Sequence, residues 1–252
     1  MNHTEYDQIS EYLNIAMQSK YTYRDIKARF ESEPAPTYGE NMAQWIPDFS
    51  YAHQLLLESI AIHLPKNAKG IELGAGSGRV SKLLLNAFSD LNLTLVDLST
   101  NMLSEAEKQL AMYRHRCQFI EHDIFDPSLE FSAGSLDCVV SVFAICHAQG
   151  IEVYEQLYRR IFQWLKPQGY FICYDHVIGD TFQWTALNAL GWHRLLAVRQ
   201  TPEQCREAIV STYQEDSPLS LRQHLTLLET SGFSAVDILY KRDIFAIYAG
   251  IK

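Results

Sequence analysis

The chain has 252 residues, a formal net charge of −9 and a hydrophobic content of 47%. This length is enough for one large domain, or for one domain with a cap. The acidic balance and the absence of a lysine and arginine cluster argue against nucleic acid as a partner. No apolar run reaches the length of a membrane span, so no membrane partner is expected.

The five cysteines indicate a reducing compartment. Their number is odd, none forms a C-x-x-C pair, and most lie in apolar runs, where a free cysteine behaves as a small buried hydrophobe. The polar N-terminus lacks the apolar core of a signal peptide. Together these features predict a cytoplasmic protein.

Residues 1–64 are predicted to form an N-terminal helical cap segment. Apolar residues at helical spacing indicate a first helix. The prolines and the glycine of residues 31–42 predict a loop, and a further helix follows with Asp48 or Ser50 as its cap. The apolar residues of the first helix are Ile9, Tyr12, Leu13 and Ala16.

Residues 65–252 alternate between short apolar strands and amphipathic helices, which predicts an α/β fold with a mostly parallel sheet. The last two strands are joined by Arg242 and Asp243, a link too short for a parallel crossover, so that pair must be antiparallel. Residues 176–220 interrupt the pattern and are predicted to be a helical cap insertion. The predicted strands are 69–73, 92–99, 117–123, 136–146, 169–175, 235–241 and 244–250.

The stretch IELGAGSGRV, residues 71–80, places Gly74, Gly76 and Gly78 between a strand and a helix. Glycine allows positive φ and has no Cβ to keep a ligand away, and a helix N-terminus attracts a carboxylate or a phosphate. A plain tight turn is the alternative interpretation. A dinucleotide fingerprint would need a glycine where Arg79 stands, and no Lys-Ser/Thr pair follows to make a P-loop.

Acidic residues end the next two strands. Asp97 follows Gly78 by 19 residues, a position from which a carboxylate can accept hydrogen bonds from two ribose hydroxyls. Asp123 ends the third strand and could accept one from an exocyclic amine. A turn or a helix cap is the alternative for each. The glycines and the two carboxylates together predict a pocket for an adenosine that carries an amino-acid carboxylate instead of a pyrophosphate.

Six stretches follow one another along residues 67–252: IELGAGSG, VDLS, HDIFD, LDCVVSVFAICH, LKPQGYF and GFSAVDILYKRDIFAIYAG. In this order they resemble the motifs of class I S-adenosylmethionine (SAM)-dependent methyltransferases. The resemblance implies a Rossmann-like fold with a seven-stranded, mostly parallel sheet, an antiparallel last strand and a helical cap. It also implies that SAM is the cofactor and S-adenosylhomocysteine (SAH) the product.

The resemblance further assigns roles to single residues. The glycines would line the methionine end of SAM, and Glu72 would order the loop or meet the amino group. Asp97 would hold the ribose and Asp123 would face the adenine amine, while Ser141 and Val142 would lie under the sulfonium. The complete cofactor set that it implies is Glu72, Gly74, Ala75, Gly76, Gly78, Asp97, Leu98, Met102, Asp123, Ile124, Ser141 and Val142.

The stretch WIPDFSYAHQLLL resembles a subgroup that includes the carboxy-SAM synthases of tRNA modification. In that relative an Arg-Tyr pair serves the carboxylated cofactor, and here Leu196 and Gln200 stand at its place. This departure argues against carboxy-SAM, although Arg194 and Arg199 are close enough in sequence to keep that alternative open. By analogy with the subgroup, the chain would form a homodimer.

Methyl transfer from a sulfonium needs a general base when the acceptor must lose a proton. His147, which follows the fourth strand, is the first candidate, and His176, which follows the fifth, is the second. A hydrogen-bonded structural histidine is the alternative for each. The spacing of His147, His176 and Asp175 matches no known ligand motif, so no metal is predicted.

The cap segments are rich in aromatic residues, which suits a planar or apolar small acceptor. Burial of these rings against the core is the alternative. The sequence therefore predicts a small-molecule methyltransferase, with a tRNA-modifying relative, a non-catalytic SAM or SAH binder and an NAD-dependent enzyme as competing hypotheses. The cap aromatics and a neighbouring histidine are Tyr6, Tyr21, Tyr23, Tyr38, Trp45, Trp184, Trp192 and His193.

Overall fold

A computed structural model of the chain describes residues 3–32 and 45–252. Its helices are α1 (His3–Gln18), α2 (Tyr23–Ser32), α3 (Phe49–His63), α4 (Arg79–Ala87), α5 (Thr100–Gln109), α6 (Ile151–Trp164), α7 (Phe182–Leu196), α8 (Pro202–Glu215) and α9 (Leu221–Ser231). Its strands are β1 (Lys69–Leu73), β2 (Asn92–Asp97), β3 (Cys117–Glu121), β4 (Leu136–Val142), β5 (Leu165–His176), β6 (Ala235–Arg242) and β7 (Phe245–Ile251).

The strands form one seven-stranded sheet in the order β3-β2-β1-β4-β5-β7-β6. Neighbours from β3 to β5 are parallel, whereas β7 pairs antiparallel with both β5 and β6. The predicted sheet and its terminal hairpin are therefore confirmed. The strand order reverses between β1 and β4, and in open α/β sheets ligands bind at such a point, outside the carboxyl ends of the strands.

Two apolar cores lie on the two faces of the sheet. Side chains alternate along β4, so Cys138 and Val140 belong to the core that includes α1, α3, α4, α7 and α8. Val139 points the other way, into the core formed with α6 and α9. Because both faces are covered, the central strands are almost continuously apolar.

The predicted first helix is confirmed by its buried face. Ile9, Leu13 and Ala16 are fully buried, and α1 packs against α7 and α8. The helices of the N-terminal segment and of the insertion thus lie side by side. The loop predicted over residues 31–42 falls mostly outside the described residues, since α2 continues to Ser32.

The fifth strand is longer than predicted, since β5 begins at Leu165. Leu165 pairs with Leu136 before the register shifts, and Gln168 takes a positive φ of 65°. Asp48 is the N-cap residue of α3, but its side chain makes no capping hydrogen bond, and its carboxylate is bound by Arg242 at 2.7 Å. Among the described helices, every one is too short or too polar to span a bilayer.

Candidate functional site

The glycine loop follows the carboxyl end of β1 and leads into α4. Gly74, Gly76 and Gly78 all have positive φ, at 74°, 52° and 82°. The amides of Gly74 and Ala75 donate to the carbonyl of Val96 at 2.8 and 3.0 Å, which ties the loop to β2. A side chain would be strained at each of these glycines, since L-residues rarely adopt such backbone angles.

Asp97 holds the loop from the end of β2. Its Oδ2 accepts a hydrogen bond from the amide of Gly76 at 2.7 Å, and its Oδ1 accepts one from the amide of Ser99 at 2.9 Å. Burial raises the pKa of Asp97, although the two backbone donors oppose that effect. The carboxylate therefore orders the loop as well as facing the space beside it.

The loop forms one wall of a cavity of about 1030 Å³, part of it open to solvent, which we call the glycine-loop cavity. It lies over the ends of β1, β2 and β4, where the strand order reverses. Eleven of the residues predicted for the site line it, and they come from four separate stretches of chain. They are Glu72, Gly74, Ala75, Gly76, Asp97, Leu98, Met102, Asp123, Ile124, Val142 and His147.

Three predicted site residues do not line the glycine-loop cavity. Gly78 is the N-cap residue of α4, and a Cβ on it would lie 3.0 Å from the Cβ of Ala106, so this glycine serves helix packing. Ser141 is fully buried and donates its hydroxyl to the carbonyl of Leu73 at 3.0 Å. His176 lies further along the sheet, because β5 is displaced from β1 by β4.

Glu72 is buried at the end of β1 and accepts a hydrogen bond from the hydroxyl of Ser81 on α4. Burial raises its pKa to about 8. The carboxyl group is thus mostly protonated at neutral pH when the cavity holds no ligand. Its contact with Ser81 links β1 to α4 across the base of the glycine loop.

Because the pKa of Glu72 is raised in the folded protein, we expect the free energy of unfolding to depend on pH. Between the ordinary glutamate pKa of 4.5 and about 8, the unfolded chain ionises this group while the folded protein keeps the proton. The folded state then binds more protons, so stability falls as pH rises through this window, by up to about 4 kcal/mol. We expect Glu72→Gln to unfold at the same temperature as the parent near pH 4.5 and at a higher one near pH 8. Thermal unfolding of the two proteins without ligand at both pH values measures this, and equal melting temperatures at pH 8 would contradict it.

Several cavity residues carry no signal in the sequence. The guanidinium of Arg79 lies over the ring of Phe49 at 4.4 Å, and both line the glycine-loop cavity. His53 joins them from α3, with its Nδ1 at 2.8 Å from the carbonyl of Phe49. Phe143 follows β4 with a φ of 53°, a conformation that is uncommon for a bulky residue. Local pattern cannot reveal these residues, because their place depends on the packing of α3 and the turn after β4.

A second cavity adjoins the first, and Phe143 and His147 line both. We call it the His–Asp–His cavity, after His147, Asp216 and His176 in its lining. It lies between the N-terminal segment, the insertion and the ends of β4 and β5. Its other lining residues are Arg29, Trp45, Ile46, Cys146, Trp192, Ala208, Ser211, Thr212, Glu215 and Phe245.

Asp216 joins the two predicted histidines. Nδ1 of His147 lies 3.0 Å from Oδ1 of Asp216, and Nδ1 of His176 contacts Oδ2. The carboxylate is buried, and both histidines are largely so, with 14% and 17% of their side chains exposed. The structure therefore brings His147 and His176 together, although 29 residues separate them in sequence and Asp216 was not predicted.

Charge interactions shift the pKa values of His147 and Asp216 more than burial does. Burial opposes the protonation of His147, yet the Asp216 carboxylate raises the pKa of His147 above its usual value. Burial likewise opposes the ionisation of Asp216, yet His147 and His176 hold its pKa well below the usual range. Asp216 is therefore an anion that stabilises the protonated form of His147.

A thiol lies beside this group. Cys146, His147 and Asp216 place one ligand atom each within 4.8 Å of the others, as do Cys146, Asp175 and His176. Burial and the two carboxylates raise the pKa of the Cys146 thiol well above its usual value, so it stays protonated. The amide of Cys146 donates to the carboxylate of Asp175 at 2.8 Å, and Nδ1 of His176 contacts Asp216. We assign no ion to this group.

Of the predicted cap aromatics, Trp45 and Trp192 line the His–Asp–His cavity, and the indole of Trp192 donates to the carbonyl of Trp45 at 2.8 Å. Trp184 is 58% exposed and lines neither cavity. Tyr38 and the side chain of Tyr23 lie outside the described residues. The two arginines that the sequence analysis considered, Arg194 and Arg199, lie in the insertion and line neither cavity, and Arg194 pairs with Glu5 at 2.6 Å.

Comparison with known proteins agrees with this geometry. Residues 71–169 match a family model described as a methyltransferase domain. The carboxy-S-adenosyl-L-methionine synthase of Nautilia profundicola is 19% identical over 247 residues, which cover 94% of this chain and 100% of the relative.

Two solved structures illustrate the shared fold. The apo form of the SAM-dependent methyltransferase SibL superposes with a TM-score of 0.64 at 16% identity, covering 100% of this chain and 70% of SibL. The phosphoethanolamine N-methyltransferase 2 of Haemonchus contortus, described in complex with phosphomonomethylethanolamine and SAH, gives 0.65 at 17% identity, covering 92% of this chain and 61% of that enzyme. The chain thus spans less than two thirds of the latter's length, and at these identities the likeness shows the fold alone.

Proposed function

We propose that the chain is a class I SAM-dependent methyltransferase, as the methyltransferase-domain match over residues 71–169 supports, and that it transfers the methyl group of SAM to a small-molecule acceptor. One observation carries this proposal: the glycine-loop cavity and the His–Asp–His cavity meet at a common wall of Phe143 and His147. A donor in the first cavity and an acceptor in the second would meet at that wall.

The residues of the glycine-loop cavity fit an adenosyl cofactor. A Cβ at Gly76 would meet no protein atom within 4 Å. Packing within the protein therefore does not require a glycine here, and the missing side chain leaves space for a ligand. Asp97 and Asp123 offer carboxylates at the ends of two neighbouring strands, suited to ribose hydroxyls and to an amine. Leu98, Met102 and Ile124 line the same cavity and would flank a planar base.

When bound, SAM supplies an activated methyl group on a sulfonium. The protein then has to align the acceptor with that methyl group and exclude water. The glycine loop would hold the methionine end, and the cap elements that build the His–Asp–His cavity would orient the acceptor. Arg29 on α2 and Glu215 on α8 form an ion pair in the lining of that cavity, and this pair links the two cap segments.

A carboxy-SAM-type reaction is a second candidate, because carboxy-SAM synthases match nearly the whole chain. A carboxylated cofactor needs a cation for its extra carboxylate. Of the described residues that line either cavity, the arginines are Arg79, which lies over Phe49, and Arg29, which pairs with Glu215. Arg194 and Arg199 line neither cavity, which weighs against this candidate.

Titration calorimetry with SAM, SAH, carboxy-SAM and NAD tests the proposal. We expect SAM and SAH to bind with micromolar affinity, at about −8 kcal/mol, and NAD not to bind. Tighter binding of carboxy-SAM than of SAM would favour the second candidate, with Arg79→Ala selectively weakening carboxy-SAM. No binding of any of these compounds would contradict both.

A further inference from the structure

The buried carboxylate of Asp216 uses each oxygen for a different histidine. Oδ1 faces Nδ1 of His147 and Oδ2 faces Nδ1 of His176. Its own amide donates to the carbonyl of Thr212 at 2.9 Å, which anchors the residue to the end of α8. Both rings are thereby oriented, and each keeps its Nε2 on the side away from Asp216. A buried carboxylate that fixes an imidazole in this way stabilises the imidazolium that forms when the ring takes a proton.

The surrounding surface is aromatic. Trp45, Phe143, Trp192 and Phe245 all line the His–Asp–His cavity, and the ring centroids of Phe143 and Phe245 lie 5.2 and 5.1 Å from that of His176. Flat apolar walls favour a flat ligand. Two carboxylates line the His–Asp–His cavity, and both are paired. Asp216 pairs with the two histidines, and Glu215 pairs with Arg29. A cationic amine would therefore find no unpaired carboxylate among the described lining residues.

We propose that the acceptor is a flat molecule with an ionisable hydroxyl, a phenol or an enol, and that Asp216 positions His147 to receive the hydroxyl proton. This inference rests on the proposed function and names the class of acceptor for the same site. His147 is the member of the group that also lines the glycine-loop cavity, so it stands where the acceptor would meet the methyl donor.

The proposed step balances without a further reactant. The acceptor O–H bond breaks and its proton goes to Nε2 of His147. The oxygen lone pair forms the new O–CH3 bond as the S–CH3 bond of SAM breaks, and the sulfonium leaves as neutral SAH. The proton on His147 then passes to water. His176 supports the same carboxylate from the other side and touches no reacting atom.

Several charged or titratable groups face His147 and set its proton affinity. Asp216 from the segment after α8 and Asp175 from β5 favour its protonation, and Arg29 from α2 opposes it. The Cys146 thiol remains neutral, and Glu215 is paired with Arg29. His176 shares the Asp216 carboxylate. Together these groups raise the pKa of His147 above its usual value. The ring therefore accepts a proton more readily, and the imidazolium that forms would stabilise a phenolate beside it.

The probe is 4-nitrophenol, whose phenolate absorbs visible light, added to the protein saturated with SAH. We expect the bound probe to ionise at lower pH than the free phenol, with on the order of tenfold more phenolate below the free compound's pKa. Asp216→Asn and His147→Gln should both abolish this effect, because the imidazolium loses its anion in one and is absent in the other. Asp137→Asn is the matched control, since Asp137 is also buried and paired, with Lys166 at 2.8 Å, but lies at the amino end of β4.

The outcomes separate the two proposals. Failure of SAH to bind the parent protein contradicts the proposed function itself. SAH binding without nitrophenol binding, or with an unshifted phenol titration, overturns the phenol or enol assignment alone. A shift in the phenol titration that survives in a folded Asp216→Asn protein overturns the role of Asp216. If Asp216→Asn fails to fold, His147→Gln is the test, and a shift that survives in His147→Gln overturns the proposal. Stoichiometric zinc in the purified parent protein would also overturn the proposal, since the metal would bind the side chains of His147 and Asp216.

Discussion

Replacing Gly76 by alanine should abolish SAM binding while the protein stays folded. The new Cβ would meet no protein atom within 4 Å, so it would project into the glycine-loop cavity. The positive φ of 52° costs the folded state about 1 kcal/mol. A methyl group where the cofactor must approach the backbone should lower affinity by on the order of 1000-fold, because the main-chain contacts of the loop cannot form. Calorimetry with SAM and SAH measures the loss, and thermal unfolding without ligand confirms the fold.

Gly74→Ala is the matched comparison, since it makes the same chemical change two residues earlier. Here the new Cβ would lie 2.2 Å from the Cβ of Ala144, with φ at 74°. Overlap and backbone strain together should cost about 3 kcal/mol, which lowers the melting temperature by about 10 °C. Gly76→Ala should keep a melting temperature within a few degrees of the parent. If the two variants lose stability equally, the assignment of Gly76 to ligand space and Gly74 to packing is wrong.

Asp97→Asn should weaken SAM binding by on the order of 100-fold, about 3 kcal/mol. The carboxylate accepts hydrogen bonds from Gly76 and Ser99, one on each oxygen. Asparagine has one acceptor oxygen, so its amide nitrogen must face one of these donors and the loop loses a bond. It also loses the second acceptor for the ribose hydroxyls. Calorimetry with SAM and SAH measures the change.

Asp137→Asn again serves as the control for Asp97→Asn. Asp137 accepts from the amide of Lys69 and from Lys166, both at 2.8 Å, at the end of the sheet opposite the cavities. Removal of its charge should lower the stability of the protein and leave SAM affinity as in the parent. An Asp97→Asn protein with parental affinity would show that the carboxylate orders the loop without touching the cofactor.

Local pattern was sufficient for the sheet and for most of the residues that line the glycine-loop cavity. The glycine loop, Asp97 and Asp123 each follow a strand, and parallel strands bring their carboxyl ends to one edge whatever the helices between them do. The antiparallel last strand followed from the short link at Arg242 and Asp243. Within the loop, sequence could not tell which glycine faces a ligand and which serves packing, because that depends on Ala106 and Ala144, which come from other elements.

The sequence by itself predicted the fold class, SAM as the methyl donor and two of the three members of the His–Asp–His group. Asp216 lies 69 residues beyond His147, at the end of the cap insertion, where no periodicity marks it. Its partnership with His147 and His176 arises because α8 ends against the carboxyl edges of β4 and β5. Phe143, which separates the two cavities, takes its place through a positive φ that a sequence pattern does not encode. The glycine-loop motif is local because one strand end and one turn suffice to form it, whereas the His–Asp–His cavity is made by packing between distant segments and is decided by the tertiary structure.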